Sequence, residues 1–119
     1  MREFKIDIIG SSWEVRLREE HEDERLKDCS GFTDWTSRTI VMLDVRKSSN
    51  LGRQDVYMRK VLRHEIVHAF MFESGLGDDW THEQYGQEET VVDWIAYQLP
   101  KLSATAEKAE KRLEAMLSD

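Results

Sequence analysis

The chain has 119 residues but only one cysteine and one proline. A lone thiol, Cys29, closes no disulfide within the chain, so the expectation is a reducing, cytoplasmic setting. Cys29 itself reads as a small buried hydrophobe. No apolar run approaches the roughly 20 residues of a membrane-spanning helix, so no membrane partner is expected. The N-terminal stretch MREFKIDIIG carries charges at positions 2, 3, 5 and 7 and does not read as a signal peptide. A basic patch is missing too. Acidic residues number 24 against 17 Lys and Arg, for a formal net charge of −7. The bases alternate with acids, as in KAEKRLE at 108–114, which disfavours a nucleic-acid partner.

What is present supports one modest core: 39% of residues are hydrophobic and 34% charged, consistent with a single domain over 1–119. Phe4, Ile6 and Ile8 alternate with Lys5 and Asp7, and Trp13, Val15 and Leu17 repeat that period-two pattern, so the first twenty residues predict a hairpin turning at Gly10–Ser12. EEHEDERLKD is a charge run suited to a solvated loop or short helix. Residues 29–34 suggest a short strand, 34–37 a turn, and RTIVMLDV at 38–45 a strand rich in β-branched residues. SSNLG at 48–52 offers capping residues to a helix over about 54–74, closed by Gly75. A second helix is expected over about 87–99, ended by Pro100, and a third over about 103–117 as an appendage. The third carries a stripe of Ala106, Ala109, Leu113 and Met116 or Leu117, which suits docking on the domain better than pairing with another chain. The tryptophans read as core residues. Strands followed by helices argue for an α+β fold.

Within the first helix lies RHEIVHAF, 63–70. His64 and His68 are one turn apart on one helical face, and two imidazoles so placed can direct nitrogens at one ion. Glu65, about 100° round the helix from His64, flanks that position and suits a general base acting on water. Leu62, Ile66, Ala69 and Phe70 occupy roughly the opposite side, leaving a core-facing surface. On periodicity alone, a core helix that happens to carry two histidines fits equally well.

A catalytic zinc needs a third protein ligand. Glu89 and Asp93, at i and i+4 in EETVVDW, share one face of the second helix. Glu89 suits ligation, and Asp93 suits accepting a hydrogen bond from the far nitrogen of a ligating histidine. His82 and Glu88 remain alternatives, and acids at 88 and 89 also fit a helix N-terminus without any metal.

HEIVH at 64–68 followed by Glu89-Thr-Val-Val-Asp93 resembles the HExxH…ExxxD signature of the gluzincins, thermolysin-like zinc metallopeptidases. The extended metzincin pattern fails, because Met71 and Ser74 stand where it needs Gly and His. The size, with HAF at 68–70, ESGL at 73–76 and VDWIA at 92–96 before Pro100, is similar to minigluzincins and to small phage and prophage metallopeptidases, over roughly residues 30–101. The resemblance implies a small twisted, mostly antiparallel sheet packed on an active-site helix and a glutamate helix. It implies Zn2+ held by His64, His68 and Glu89, with Glu65 as the base in attack of zinc-bound water on a peptide or protein substrate. The second subdomain that stabilises the oxyanion in larger relatives is missing; Tyr57, Tyr85, Tyr97 and His82 are the available stand-ins. In such enzymes the substrate lies along a sheet edge, and RTIVMLDV is either that edge or a central strand. Two rivals stand: a catalytically inactive, zinc-stabilised interaction module, and a metal-free structural or regulatory protein.

Overall fold

The computed structural model describes residues 2–47, 50–76 and 89–118; the side chains of residues 89, 90, 92, 93 and 96 are outside the description. Its first element, β1 (Glu3–Ile8), buries Phe4, Ile6 and Ile8 in strict alternation. β2 (Ser11–Arg18) runs antiparallel to it and buries Trp13, Val15 and Leu17. The turn between them is Ile9-Gly10 rather than Gly10–Ser12, and both residues have positive φ, 48° and 86°. That is the hairpin geometry matched to strand twist. A β-branched residue rarely adopts it, so nothing in the sequence marks Ile9 as a turn residue. The charge run becomes two short 3-10 turns, Glu20–Glu22 and Glu24–Leu26, with Leu26 buried beneath them.

β3 (Gly31–Asp34) and β4 (Thr39–Leu43) form a second hairpin, and the sheet order is β1-β2-β4-β3. β4 pairs parallel with β2 and antiparallel with β3, so the sheet is mixed and the fold α+β. RTIVMLDV is therefore not an edge. Thr39, Ile40, Val41 and Met42 are all buried, the two-faced burial expected of a strand enclosed on both sides. The edges are β1 and β3; β1 packs against the C-terminal helix and β3 against the helix that follows β4.

α1 (Gln54–Glu73) packs on one face of the sheet through Met58, Leu62, Ile66, Ala69 and Phe70, each at most 1% exposed. Its N-cap is Arg53, which makes no side-chain capping bond; of the expected cap, residues 48 and 49 lie outside the described residues. α2 (Glu89–Leu117) is one helix, not two: it runs straight through Pro100. Proline removes one helical hydrogen bond and crowds the turn before it, costing about 3 kcal/mol. Burial of Ala109, Leu113 and Met116 downstream offsets this. The residues expected to form an appendage thus belong to the core. Ion pairs Arg59–Glu114 and Arg63–Glu110, with a 3.0 Å hydrogen bond from Trp94 Nε1 to Ser74 Oγ, show that α1 and α2 run antiparallel. Among the described residues no helix is long and apolar enough to cross a membrane.

Two of the sequence expectations for single residues fail. Cys29 is exposed, and its Sγ donates to the Arg25 carbonyl at 3.2 Å. Trp35 is 55% exposed and stacks on Phe72 at the β3–β4 turn; neither position carries the periodicity of a core strand. Trp80 lies outside the described residues.

Glu73, the last residue of α1, ties the helix to the sheet. Its carboxylate accepts from Trp13 Nε1 at 2.8 Å, from Ser11 Oγ at 3.3 Å and from Arg38 Nε. Burial pushes this carboxyl up, but the Arg38, Trp13 and Ser11 donors outweigh it and hold it below the ordinary glutamate value. The folded pKa lies below the unfolded one, so the contribution is complete above the unfolded value of about 4.3 and is lost as pH falls through the folded one. Glu73→Gln should lower the unfolding free energy at neutral pH by about 1–3 kcal/mol. In urea titrations between pH 7 and pH 2, the difference from wild type should shrink as the pH falls below that of free glutamate.

Candidate functional site

The histidines of α1 converge. His64 and His68 are both exposed, their rings meet edge to face with centroids 4.8 Å apart, and their Nε2 atoms are 3.2 Å apart. Two nitrogens each 2.0–2.1 Å from one tetrahedral ion stand about 3.3 Å apart. The spacing therefore fits a shared cation, and equally an N–H···N hydrogen bond between the rings when no ion is bound. Histidines one turn apart reach this arrangement with helical geometry alone.

Glu65 follows His64 but turns toward the sheet, where it is only 6% exposed. Thr33 Oγ1, from the edge strand β3, donates to Glu65 Oε1 at 2.9 Å, and also lies 3.2 Å from the Glu65 carbonyl oxygen. An ionised carboxylate offers about four acceptor sites, and no described cation pairs with this one. Space for it comes from Gly31, two residues before Thr33 and so on the same face of β3. A Cβ there would stand 3.0 Å from Val61 Cγ1, 3.1 Å from the Val41 carbonyl oxygen and 3.4 Å from Glu65 Cγ. The strand can approach the helix this closely only where it has no side chain. His64 and Glu65 then open together onto a groove of about 360 Å3 between β3 and α1, which Tyr57 also lines.

Of the residues expected to complete the site, fewer are placed. Glu89 is the first residue of α2, but its side chain and that of Asp93 lie outside the described residues, as do residues His82, Glu88 and Tyr85 entirely. The Trp94–Ser74 hydrogen bond sets the start of α2 beside the C-terminal end of α1, beyond His68 rather than level with it. Tyr57 lines the groove; Tyr97 is 85% exposed on α2 and does not. Sequence reasoning missed Gly31 and Thr33, because only the register of β3 on β4 (Gly31 opposite Met42, Thr33 opposite Ile40) brings them to Glu65. The one visible trace was a Gly-x-Thr in a short strand.

Among the described residues, one group places three ligand-type atoms within 4.8 Å of one another: Glu19, His21 and Glu22. Both oxygens of Glu22 are committed to the Arg2 guanidinium. That bond and the Glu19 N–H hold its carboxyl at about 2. An exposed acidic cluster already neutralised by arginine is a surface ion pair, and His64 and His68 remain the better donor pair. Comparison with family models, with curated proteins and with solved structures finds no match.

The role of Thr33 is testable by a thermodynamic cycle. Thr33→Val should cost about 1–3 kcal/mol of unfolding free energy, because it strips a buried carboxyl of its donor. In a Glu65→Leu background the same change should cost at least about 1 kcal/mol less. Equal costs in both backgrounds, measured by urea denaturation, would place the hydroxyl's contribution elsewhere.

Proposed function

We propose that the chain is a zinc metallopeptidase of the gluzincin type, in which His64 and His68 hold the metal, Glu89 is the third ligand and Glu65 is the general base. The observation that carries the reading is the pair of Nε2 atoms 3.2 Å apart beside a carboxyl buried to 6% exposure. A helix recruited only to pack a core would place an apolar residue at position 65. Burying a polar group is costly unless its hydrogen bonds are met, and the described residues give this carboxyl one donor, Thr33. Buried ionisable groups at a groove with convergent polar atoms are what active sites retain.

Two imidazoles and a carboxylate suit zinc among the common divalent ions. A zinc ion held there supplies Lewis acidity and lowers the pKa of water toward about 7. The remaining work falls to the chain. Glu65 lines the groove and accepts the proton that water releases as it attacks a peptide carbonyl, then passes it to the departing amine. Thr33 holds one carboxyl oxygen of Glu65 by its hydroxyl, fixing the rotamer so that the other oxygen is left to meet water. Asp93 is assigned to steady a histidine through its far nitrogen. The free edge of β3 offers main-chain pairing to an extended peptide, a mode with little sequence preference of its own. The twisted sheet with an active-site helix and a glutamate helix is, on this reading, a minimal zincin-like domain of the kind found in small phage and prophage metallopeptidases.

Metal analysis of protein purified without chelator is the direct test. About one zinc per chain is expected, lost in His64→Ala and His68→Ala and much weakened in Glu89→Ala. Glu65→Gln should keep the metal while peptide hydrolysis falls by about a hundredfold or more. Absence of metal in the wild type would overturn the proposal, and metal without hydrolysis on a broad peptide library would leave a zinc-stabilised module.

A further inference from the structure

The groove beside His64 and Glu65 has a chemical character of its own. Besides His64 and Glu65 it is lined by Ser30, from the segment leading into β3, and by Tyr57 and Lys60, in the turns of α1 before His64. The hydroxyls of Ser30 and Tyr57 are hydrogen-bonded to each other. Two hydroxyls carry two O–H donors, and that bond uses one, so the second remains to aim at another acceptor. Lys60 adds an exposed ammonium with three donors, and among the described residues it makes no ion pair or hydrogen bond. Among the described residues most arginines pair with acids, whereas the lysines other than Lys111 form no ion pair; Lys60 is the one that lines this groove. The only carboxyl among the described lining residues is Glu65, already held by Thr33. The Lys60 end of the pocket thus offers an ammonium and a hydroxyl donor and carries no carboxyl of its own among the described residues.

We propose that Ser30, Tyr57 and Lys60 form a subsite for a substrate carboxylate, which makes the preferred substrates peptides with a negative charge close to the cleaved bond. The inference rests on the peptidase reading and deepens it. Lys60 precedes His64 by one helical turn, a rise of about 6 Å. An extended peptide advances about 3.3 Å per residue. The carboxylate therefore belongs to a residue one or two positions from the scissile bond. An ammonium and a hydroxyl donating to a carboxylate form charge-assisted hydrogen bonds, stronger than neutral ones. The carboxylate can come from an Asp or Glu side chain or from a free C-terminus, and peptides amidated at the C-terminus separate the two sources.

The test uses the zinc-loaded chain of residues 1–119 and a set of peptides that differ only in Asp, Asn or Lys near a common cleavage site, each with a free or an amidated C-terminus. Cleavage is followed by mass spectrometry. Binding of the same peptides, fluorescently labelled, is measured on the Glu65→Gln variant, where turnover does not intervene. Asp peptides should be cleaved and bound about tenfold better than Asn peptides, with the advantage shrinking in high salt. Lys60→Met should abolish the advantage and Lys60→Glu should transfer it to Lys peptides; both changes fall on an exposed side chain, so folding is preserved. If the free C-terminus is the source, the advantage follows the unamidated peptides instead. Equal binding of Asp, Asn and Lys peptides, or a preference unchanged in Lys60→Glu, overturns the subsite. Loss of zinc binding or of all hydrolysis overturns the peptidase reading, while charge selectivity in the binding assay is judged separately.

Discussion

The closeness of β3 to α1 governs what Glu65 can do. Gly31 and Thr33 lie on the same face of an edge strand. The first has no side chain where any Cβ would meet Val61 and the Val41 carbonyl at about 3 Å. The second reaches across with a hydroxyl. Were position 31 occupied, the strand would have to retreat, and the reach from Thr33 to Glu65 would be lost with it. The opposite side of α1 leaves no freedom to compensate, because Leu62, Ala69 and Phe70 are buried against the sheet and Glu73 is tied to Ser11, Trp13 and Arg38. The helix is fixed by its core face, and the position of Glu65 relative to the histidines follows from that fixing.

One helix thus serves two demands. Its apolar face supplies a large share of the core, while the histidines, one turn apart, remain in solvent where an ion and a substrate have access. Glu65 sits at the border between those faces. Partial burial there removes the carboxyl from bulk water, which strengthens its interactions with whatever enters the groove, and one hydroxyl keeps it from being wholly unpartnered. Preorganisation of this kind places a side chain through its packing neighbours rather than through the ligand.

The period-two strands β1 and β2, the helix α1 and its core face were legible because burial on one face leaves a periodic trace in the residues themselves. The histidine pair and Glu65 were legible for the same reason, being set by helical spacing within five residues. What was illegible depended on pairing at a distance. Whether residues 38–45 formed an edge could not be read before β2 and β3 were known to flank them. Ile9 took a turn position that its side chain disfavours, since the register of Phe4 on Val15 and Ile6 on Trp13 demands a two-residue loop there. Gly31 and Thr33 leave only a Gly-x-Thr in a short strand as a trace, and they gain meaning from the approach of β3 to α1.

Pro100 was read as a stop and instead lies within one helix. Downstream of it, Ala109, Leu113 and Met116 are buried and Glu110 and Glu114 are paired with arginines of α1. Upstream, Ile95, Tyr97 and Leu99 are exposed, while Trp94 packs against the core and donates to Ser74 of α1. The missing hydrogen bond at a proline makes bending easiest at that point. The half of α2 downstream of Pro100 carries the buried stripe and the ion pairs, and the half upstream carries Glu89 and Asp93. On the proposed function, the donors of one metal site come from both helices, so a cation bound there stabilises the packing of α2 on α1 by its own binding free energy.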